Sequence, residues 1–146
     1  MIYGQDRTQL RRMWFEAWEN YATGKALIPL HQELVNIIKL HPEYDAMFNN
    51  PEQYLGKEYL PEFGETNPFL HMSMHQGIHE QLSSDRPKGI RQVYKKLCKK
   101  IGNAHDTEHA MMEGFAETLW QAQRSGTLPD ENEYLKRIKT LLKTTR

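Results

Sequence analysis

The sequence has a single cysteine, no excess of charge of either sign and no long hydrophobic run. The lone Cys98 excludes an intramolecular disulfide in this chain of 146 residues. Because 19 Lys and Arg residues balance 19 Asp and Glu residues, the composition argues against a general nucleic-acid binder, which normally carries a large basic excess. No apolar run approaches the roughly 20 residues that a membrane-spanning helix needs. We therefore expect neither a membrane nor a nucleic-acid partner, and the composition does not indicate an oligomeric state.

The N-terminal sequence also lacks the apolar stretch of a signal peptide, because charged residues occupy that region. This pattern predicts a cytoplasmic protein. The length suits one domain over residues 1–146, and a chain of this size buries roughly 70% of the surface that its unfolded form exposes. A hydrophobic core therefore suffices without disulfides.

Strand signals are scarce, since no Asn-Gly or Asp-Gly turn separates alternating apolar segments. Helix-starting and helix-ending residues are frequent instead. The predicted helices run from Asp6 to Gly24, Pro29 to Leu40, Asn67 to Ser84, Pro87 to Ile101, Ala104 to Arg124 and from Pro129 onward, with short helices and loop over 43–65. We predict an all-α, single-domain helical bundle with a four-helix core and additional N-terminal helices. Its predicted core aromatics are Trp14, Trp18, Tyr21 and Trp120.

Five of the seven histidines fall in two clusters with helical spacing. The first cluster is His71, His75 and His79, and the second is His105 and His109. Residues four apart on a helix are stacked neighbours about 6 Å apart along the axis, so two such imidazoles can bind one ion. His71 and His79 are about 12 Å apart and cannot.

When residues are placed at about 100° each around the helix axis, these histidines lie on or beside the apolar faces of their helices. His71 lies within the apolar arc of its helix and His75 lies at the edge of that arc. On the helix from Ala104, His105 and His109 lie at the centre of the predicted stripe. That stripe comprises Met112, Phe115, Ala116, Leu119 and Trp120. Because an unpaired interior polar group costs a few kcal/mol and a neutral imidazole offers one donor, a bound cation satisfies these rings best.

We therefore predict a metal site formed by His71, His75, His105, His109 and Glu113. The secondary candidates are His79, Glu108 and Glu117. Imidazole and carboxylate without thiolate favour a transition-metal ion, with iron or zinc foremost. Five ligands exceed a closed tetrahedral zinc site, so the site is either dinuclear or holds one ion with carboxylates that orient the imidazoles. An open coordination position would admit dioxygen or another small molecule.

Two other interpretations of the histidines stay open. They could form a buried, pH-sensitive hydrogen-bonded network, or they could face an external partner. His31 and His41 have no histidine four residues away. His41 precedes Pro42 at a predicted helix end, where a local backbone hydrogen bond is the ordinary expectation. Either histidine could complete a metal site from the second helix.

A basic amphipathic helix suggests an alternative function. Seven bases and no acid lie between residues 86 and 104, opposite an apolar stripe. These bases are Arg86, Lys88, Arg91, Lys95, Lys96, Lys99 and Lys100. The alternative is a non-enzymatic interaction protein that binds RNA, DNA, phospholipid or an acidic protein through residues 86–100. The simpler interpretation is a solvated face balanced by the acidic residues of 43–65.

Four motifs resemble a family of small bacterial proteins known as a domain of unknown function. They are YGQDR at 3–7, GETNPFLHM at 64–72, HxxxHxMME at 105–113 and LWQAQR at 119–124. The resemblance covers about residues 3–142 and implies a bacterial origin, but no activity or substrate.

Two metal-binding classes are similar at the level of single motifs. Hemerythrin-like bundles hold two irons with HxxxE and HxxxH pairs, which His109-xxx-Glu113 and His71-xxx-His75 match. The order of the pairs is reversed here and no HxxxxD follows, which argues against dioxygen carriage. DinB-like bundles use three histidines, and the pair His105-xxx-His109 with His71 or His75 would serve that role.

Overall fold

A computed structural model describes residues 7–59 and 67–145, which form eight α-helices and one 3-10 helix with no strand. The α-helices are α1 (Arg7–Ala22), α2 (Pro29–Lys39), α3 (Asp45–Asn49), α4 (Pro51–Tyr54), α5 (Pro68–Ser84), α6 (Ile90–Ile101), α7 (Ala104–Ser125) and α8 (Glu131–Thr144). The 3-10 helix spans Pro42–Tyr44. The all-α prediction is confirmed. No helix among the described residues has the length and apolar character needed to cross a bilayer.

Most helix ends lie where the sequence predicts them, and capping side chains explain why. Asn103 Oδ1 accepts a hydrogen bond from the backbone N–H of Asp106 at 2.8 Å and starts α7. Asp130 caps α8 in the same way, so α8 begins after the predicted Pro129. The predicted cap Asp6 and the predicted loop residues 60–65 lie outside the described residues.

Helix α6 begins three residues later than the predicted Pro87. The Asp85 carboxylate accepts hydrogen bonds from the backbone N–H groups of Gly89 and Arg91, which places a turn before the helix. Gly89 then adopts a φ of 100° at the N-cap, a conformation that glycine tolerates and most residues do not. The proline therefore starts the turn and the glycine starts the helix.

The chain divides into two compact units, residues 1–76 and 77–146, with the boundary inside α5. A single domain over residues 1–146 stays a prediction. In the first unit, α1 packs on α2, and its core includes Trp14, Leu34 and Ile37, all fully buried. Tyr21 is 40% exposed, with the Lys39 ammonium 4.2 Å from its ring centroid. The prediction that Tyr21 belongs to the core is wrong, because it lies near the C-terminal end of α1.

In the second unit, α6 and α8 pack on α7 and on each other. Helix α6 buries Ile90, Val93 and Leu97, three residues of its predicted apolar stripe. Helix α8 contributes Tyr134, which is 3% exposed and whose hydroxyl donates a hydrogen bond to Gln81 Oε1 at 2.6 Å. Burial raises the pKa of Tyr134 and keeps this hydroxyl protonated.

The buried face of α7 is rotated by roughly 80° from the predicted stripe, at about 100° per residue. It comprises Thr107, Glu108, Met111, Met112, Phe115, Thr118 and Ala122. Thr107 and Thr118 are buried because their hydroxyls donate to the carbonyls of Asn103 and Gly114. Trp120 is 52% exposed and contacts the Arg124 guanidinium, so its predicted place in the core is wrong.

Candidate metal centre

Three histidines lie together in the first unit. The ring centroids of His41 and His75 are 4.8 Å apart, those of His41 and His71 are 5.1 Å apart, and those of His71 and His75 are 4.9 Å apart. His71 and His75 lie one turn apart on α5, and His41 follows the C-terminal end of α2. His75 is fully buried and His41 is 2% exposed. The structure thus brings the predicted pair His71 and His75 together with His41.

The orientation of His41 is fixed by the helix that precedes it. Its Nδ1 lies 2.8 Å from the carbonyl oxygen of Ile37, and its ring stacks on Tyr44 with the two planes 10° apart. A carbonyl oxygen can only accept, so Nδ1 carries the proton and, in the neutral ring, Nε2 carries the lone pair. A backbone carbonyl on one ring nitrogen is the common arrangement behind a histidine that binds metal through the other. The expected local backbone hydrogen bond of His41 is therefore confirmed, and Nε2 is the ring nitrogen that could bind a metal ion.

The second unit contains a pair of adjacent histidines. The Asn103 cap fixes the start of α7, which places His105 in the first turn and His109 one turn later. Their ring centroids are 4.2 Å apart. His105 is half-buried and His109 is exposed. His105 therefore lies at the edge of the buried face and His109 lies outside it, because the face is rotated toward Thr107 and Met111.

Each unit has a pair of histidines that could hold a metal ion, His41 with His75 in the first unit and His105 with His109 in the second; the two pairs are called the histidine group here. Within each pair, the ligand nitrogens lie within 4.8 Å of each other. This histidine group contains no carboxylate from residues 7–59 and 67–145. It keeps three of the predicted ligands and adds His41, which the spacing of histidines could not identify.

Two of the secondary candidates contact each other. His79 Nε2 lies 2.7 Å from Glu108 Oε1, and the Glu108 residue is 4% exposed. The pairing gives a buried carboxylate a partner, which its burial requires. It also gives the His79 ring a defined orientation, the role that carboxylates play beside metal-binding imidazoles.

The remaining predicted carboxylates, Glu113 and Glu117, are exposed. They line an open groove of about 340 Å³ between α7 and α8, beside Arg137. Glu117 also accepts a hydrogen bond from Gln121 at 3.1 Å. The buried face of α7 is turned away from Glu113, so this predicted ligand is exposed to solvent.

The fold and the histidine group define an all-α protein with a candidate metal-binding group. The chain belongs to a family described as a domain of unknown function (DUF1841), whose model matches residues 6–140. The family that the sequence motifs indicated is therefore confirmed. No curated protein and no solved structure matches the chain.

Proposed function

We propose that this protein binds a transition-metal ion, iron or zinc, through the imidazoles of its histidine group. The observation that carries the proposal is the His41 ring, whose Nδ1 is tied to the Ile37 carbonyl while the buried ring of His75 lies 4.8 Å away. Neutral imidazole is a ligand for iron, zinc, copper and nickel, and the group has no thiolate that would favour a softer ion.

The ligands assigned first are the two pairs of the histidine group, His41 with His75 and His105 with His109. The sequence offers His71 and Glu113 as further ligands if the chain holds more than one ion. An ion that prefers six ligands would keep open positions for water, dioxygen or another small molecule. Metal content therefore distinguishes a mononuclear from a dinuclear protein, and the identity of the ion decides which chemistry is open to it.

Elemental analysis of the full chain, purified without a polyhistidine tag and without chelators, tests the proposal directly. We expect a near-stoichiometric amount of one transition metal. An optical spectrum separates the two foremost ions, because zinc is a d¹⁰ ion without redox chemistry and contributes no visible bands. Only trace metal, in protein expressed in medium supplemented with iron and zinc, would contradict the proposal.

A second proposal rests on the exposed bases of α6. Lys95, Lys96 and Lys99 are exposed on the face opposite the buried stripe. Other bases of this region are held within the second unit: Arg86 pairs with Glu131 at 2.7 Å, and Arg91 donates to two carbonyl groups of α5. Lys100 of α6 donates to the carbonyl of Leu142. We therefore assign the contact with an anionic partner to the three other lysines of α6.

Retention on immobilised heparin tests this second proposal. We expect the protein to be retained at low salt and released as salt rises, because screening weakens contacts between exposed charges. The triple variant K95E/K96E/K99E should lose retention, whereas the control K136E/K139E on α8 should keep it. Equal loss in the two variants would show only the effect of net charge and would overturn the assignment to α6.

A further inference from the structure

A buried arginine in the first unit has hydrogen-bond donors that no described residue satisfies. Arg11, on α1, is 1% exposed. Its Nη1 donates to the carbonyl oxygens of Leu55 at 3.0 Å and Lys57 at 2.7 Å. Within residues 7–59 and 67–145, neither its Nε nor its Nη2 has an acceptor. Those two groups form one edge of the guanidinium, the fork that binds a carboxylate or phosphate through two parallel hydrogen bonds.

The indole of Trp14 adds a third donor on the same side of α1. Trp14 is fully buried, follows Arg11 by three residues, and its Nε1 has no acceptor among the described residues. Residues three apart on a helix are neighbours on one face. A buried donor without a partner is destabilising, and more so when it is charged, so three such donors together require an acceptor.

The surroundings of Arg11 indicate that the acceptor carries a single negative charge. The guanidinium carbon lies 4.7 Å from the Phe69 ring centroid and 5.6 Å from that of Tyr59. Burial, and secondarily the charge of Arg7, lower the pKa of Arg11. One buried cation among aromatic rings is neutralised by a monoanion, whereas a dianion would leave a net charge out of water.

We infer that Arg11 and Trp14 form a binding site for the carboxylate group of a small molecule. One carboxylate accepts from Arg11 Nε and Nη2 through its two oxygens, and a remaining lone pair accepts from the Trp14 indole. The aromatic rings of Phe69 and Tyr59 cover the guanidinium and exclude water from the pair. The site uses none of the proposed metal ligands and is independent of the metal proposal.

Titration of the protein as purified with sodium formate and sodium acetate, at constant ionic strength, tests the inference. We expect saturable shifts of the Arg11 Nε–H and Trp14 indole N–H signals in ¹H–¹⁵N spectra. Arg11→Lys keeps the charge but removes the fork, so it should weaken acetate binding about tenfold to a hundredfold, the effect of losing a charge-assisted hydrogen bond. Arg12→Lys, a change at the exposed neighbouring arginine, is the matched control and should bind as the parent does.

Three outcomes would overturn the inference. The signals do not respond to either carboxylate, as expected if a carboxylate of the chain itself occupies the fork. The response to acetate survives unchanged in Arg11→Lys, so that it reports adventitious binding elsewhere. Phosphate saturates the signals and acetate does not, which would contradict the monoanion. Trp14→Phe removes the indole N–H and thereby assigns its signal. Because this variant retains an aromatic ring in the core, we expect it to fold.

Discussion

Replacing His75 with alanine is expected to remove the bound metal. His75 is the fully buried member of the histidine group, and its ring contacts both His41 and His71. Loss of a partner behind a ligand already lowers metal affinity about 10- to 100-fold, and loss of a ligand itself costs more. Metal per chain, measured by elemental analysis after purification, should therefore fall to trace levels.

The matched control is His31→Ala in the same unit. His31 is half-buried, lies outside the histidine group and has an Asn20 amide 3.4 Å from its Nδ1. It should keep its metal. His75→Gln separates ligand loss from unfolding, because the glutamine amide fills much of the imidazole volume; helical content by circular dichroism should persist while metal is lost. His109→Ala applies the same test in the second unit. Unchanged metal content in both His75→Ala and His109→Ala would contradict the proposed function.

The helix ends could be predicted from the sequence because they depend on local chemistry. Asn103 and Asp130 accept hydrogen bonds from backbone N–H groups within three residues, and Gly102 and Gly126 end helices with positive φ. These interactions involve neighbours in the chain, so their signals lie in short stretches of sequence. The stripe of α6 was equally clear, since its apolar and basic residues segregate completely.

The buried face of α7 could not be predicted from hydrophobicity alone. Thr107 and Thr118 are buried because each hydroxyl bonds a carbonyl one turn earlier, and Thr118 also accepts a hydrogen bond from Arg137 at 2.8 Å. Those bonds offset the cost of burying a hydroxyl, which a hydrophobicity pattern does not record. In the sequence, Trp120 indicated that the predicted stripe of α7 is the buried face, but in the structure Trp120 is exposed to solvent. The sequence predicted a buried His109 for the same reason, and the residue is exposed.

His41 shows how far the candidate site could be predicted from the sequence. The sequence identified the pairs His71/His75 and His105/His109 because residues four apart on one helix are always neighbours. His41 meets His75 only through the packing of the first unit, a contact between residues 34 positions apart. The one feature of the sequence that pointed to His41 was its position at a helix end before Pro42. There the Ile37 carbonyl fixes the orientation of its ring.

Removing metal with a chelator at neutral pH is expected to lower the melting temperature substantially. An ion that binds the folded chain and not the unfolded chain stabilises it by about 4 kcal/mol when its free concentration is a thousand times the dissociation constant. For a chain of this size such a loss corresponds to a decrease on the order of 10 °C. Adding zinc or ferrous iron back to the chelated protein should restore the original melting temperature, which calorimetry or circular dichroism measures.

The same experiment separates metal coordination from the hydrogen-bonded network of histidines. Acid destabilises the folded state in either case, because protonated imidazole neither binds metal nor fits a network of neutral rings, so an acid titration cannot distinguish them. A chelator at neutral pH acts on the metal alone. His75→Gln is the control: its melting temperature should not respond to chelator. If chelation strips metal from the parent protein and its melting temperature does not change, the histidines are held by one another, and the ion contributes nothing to the fold.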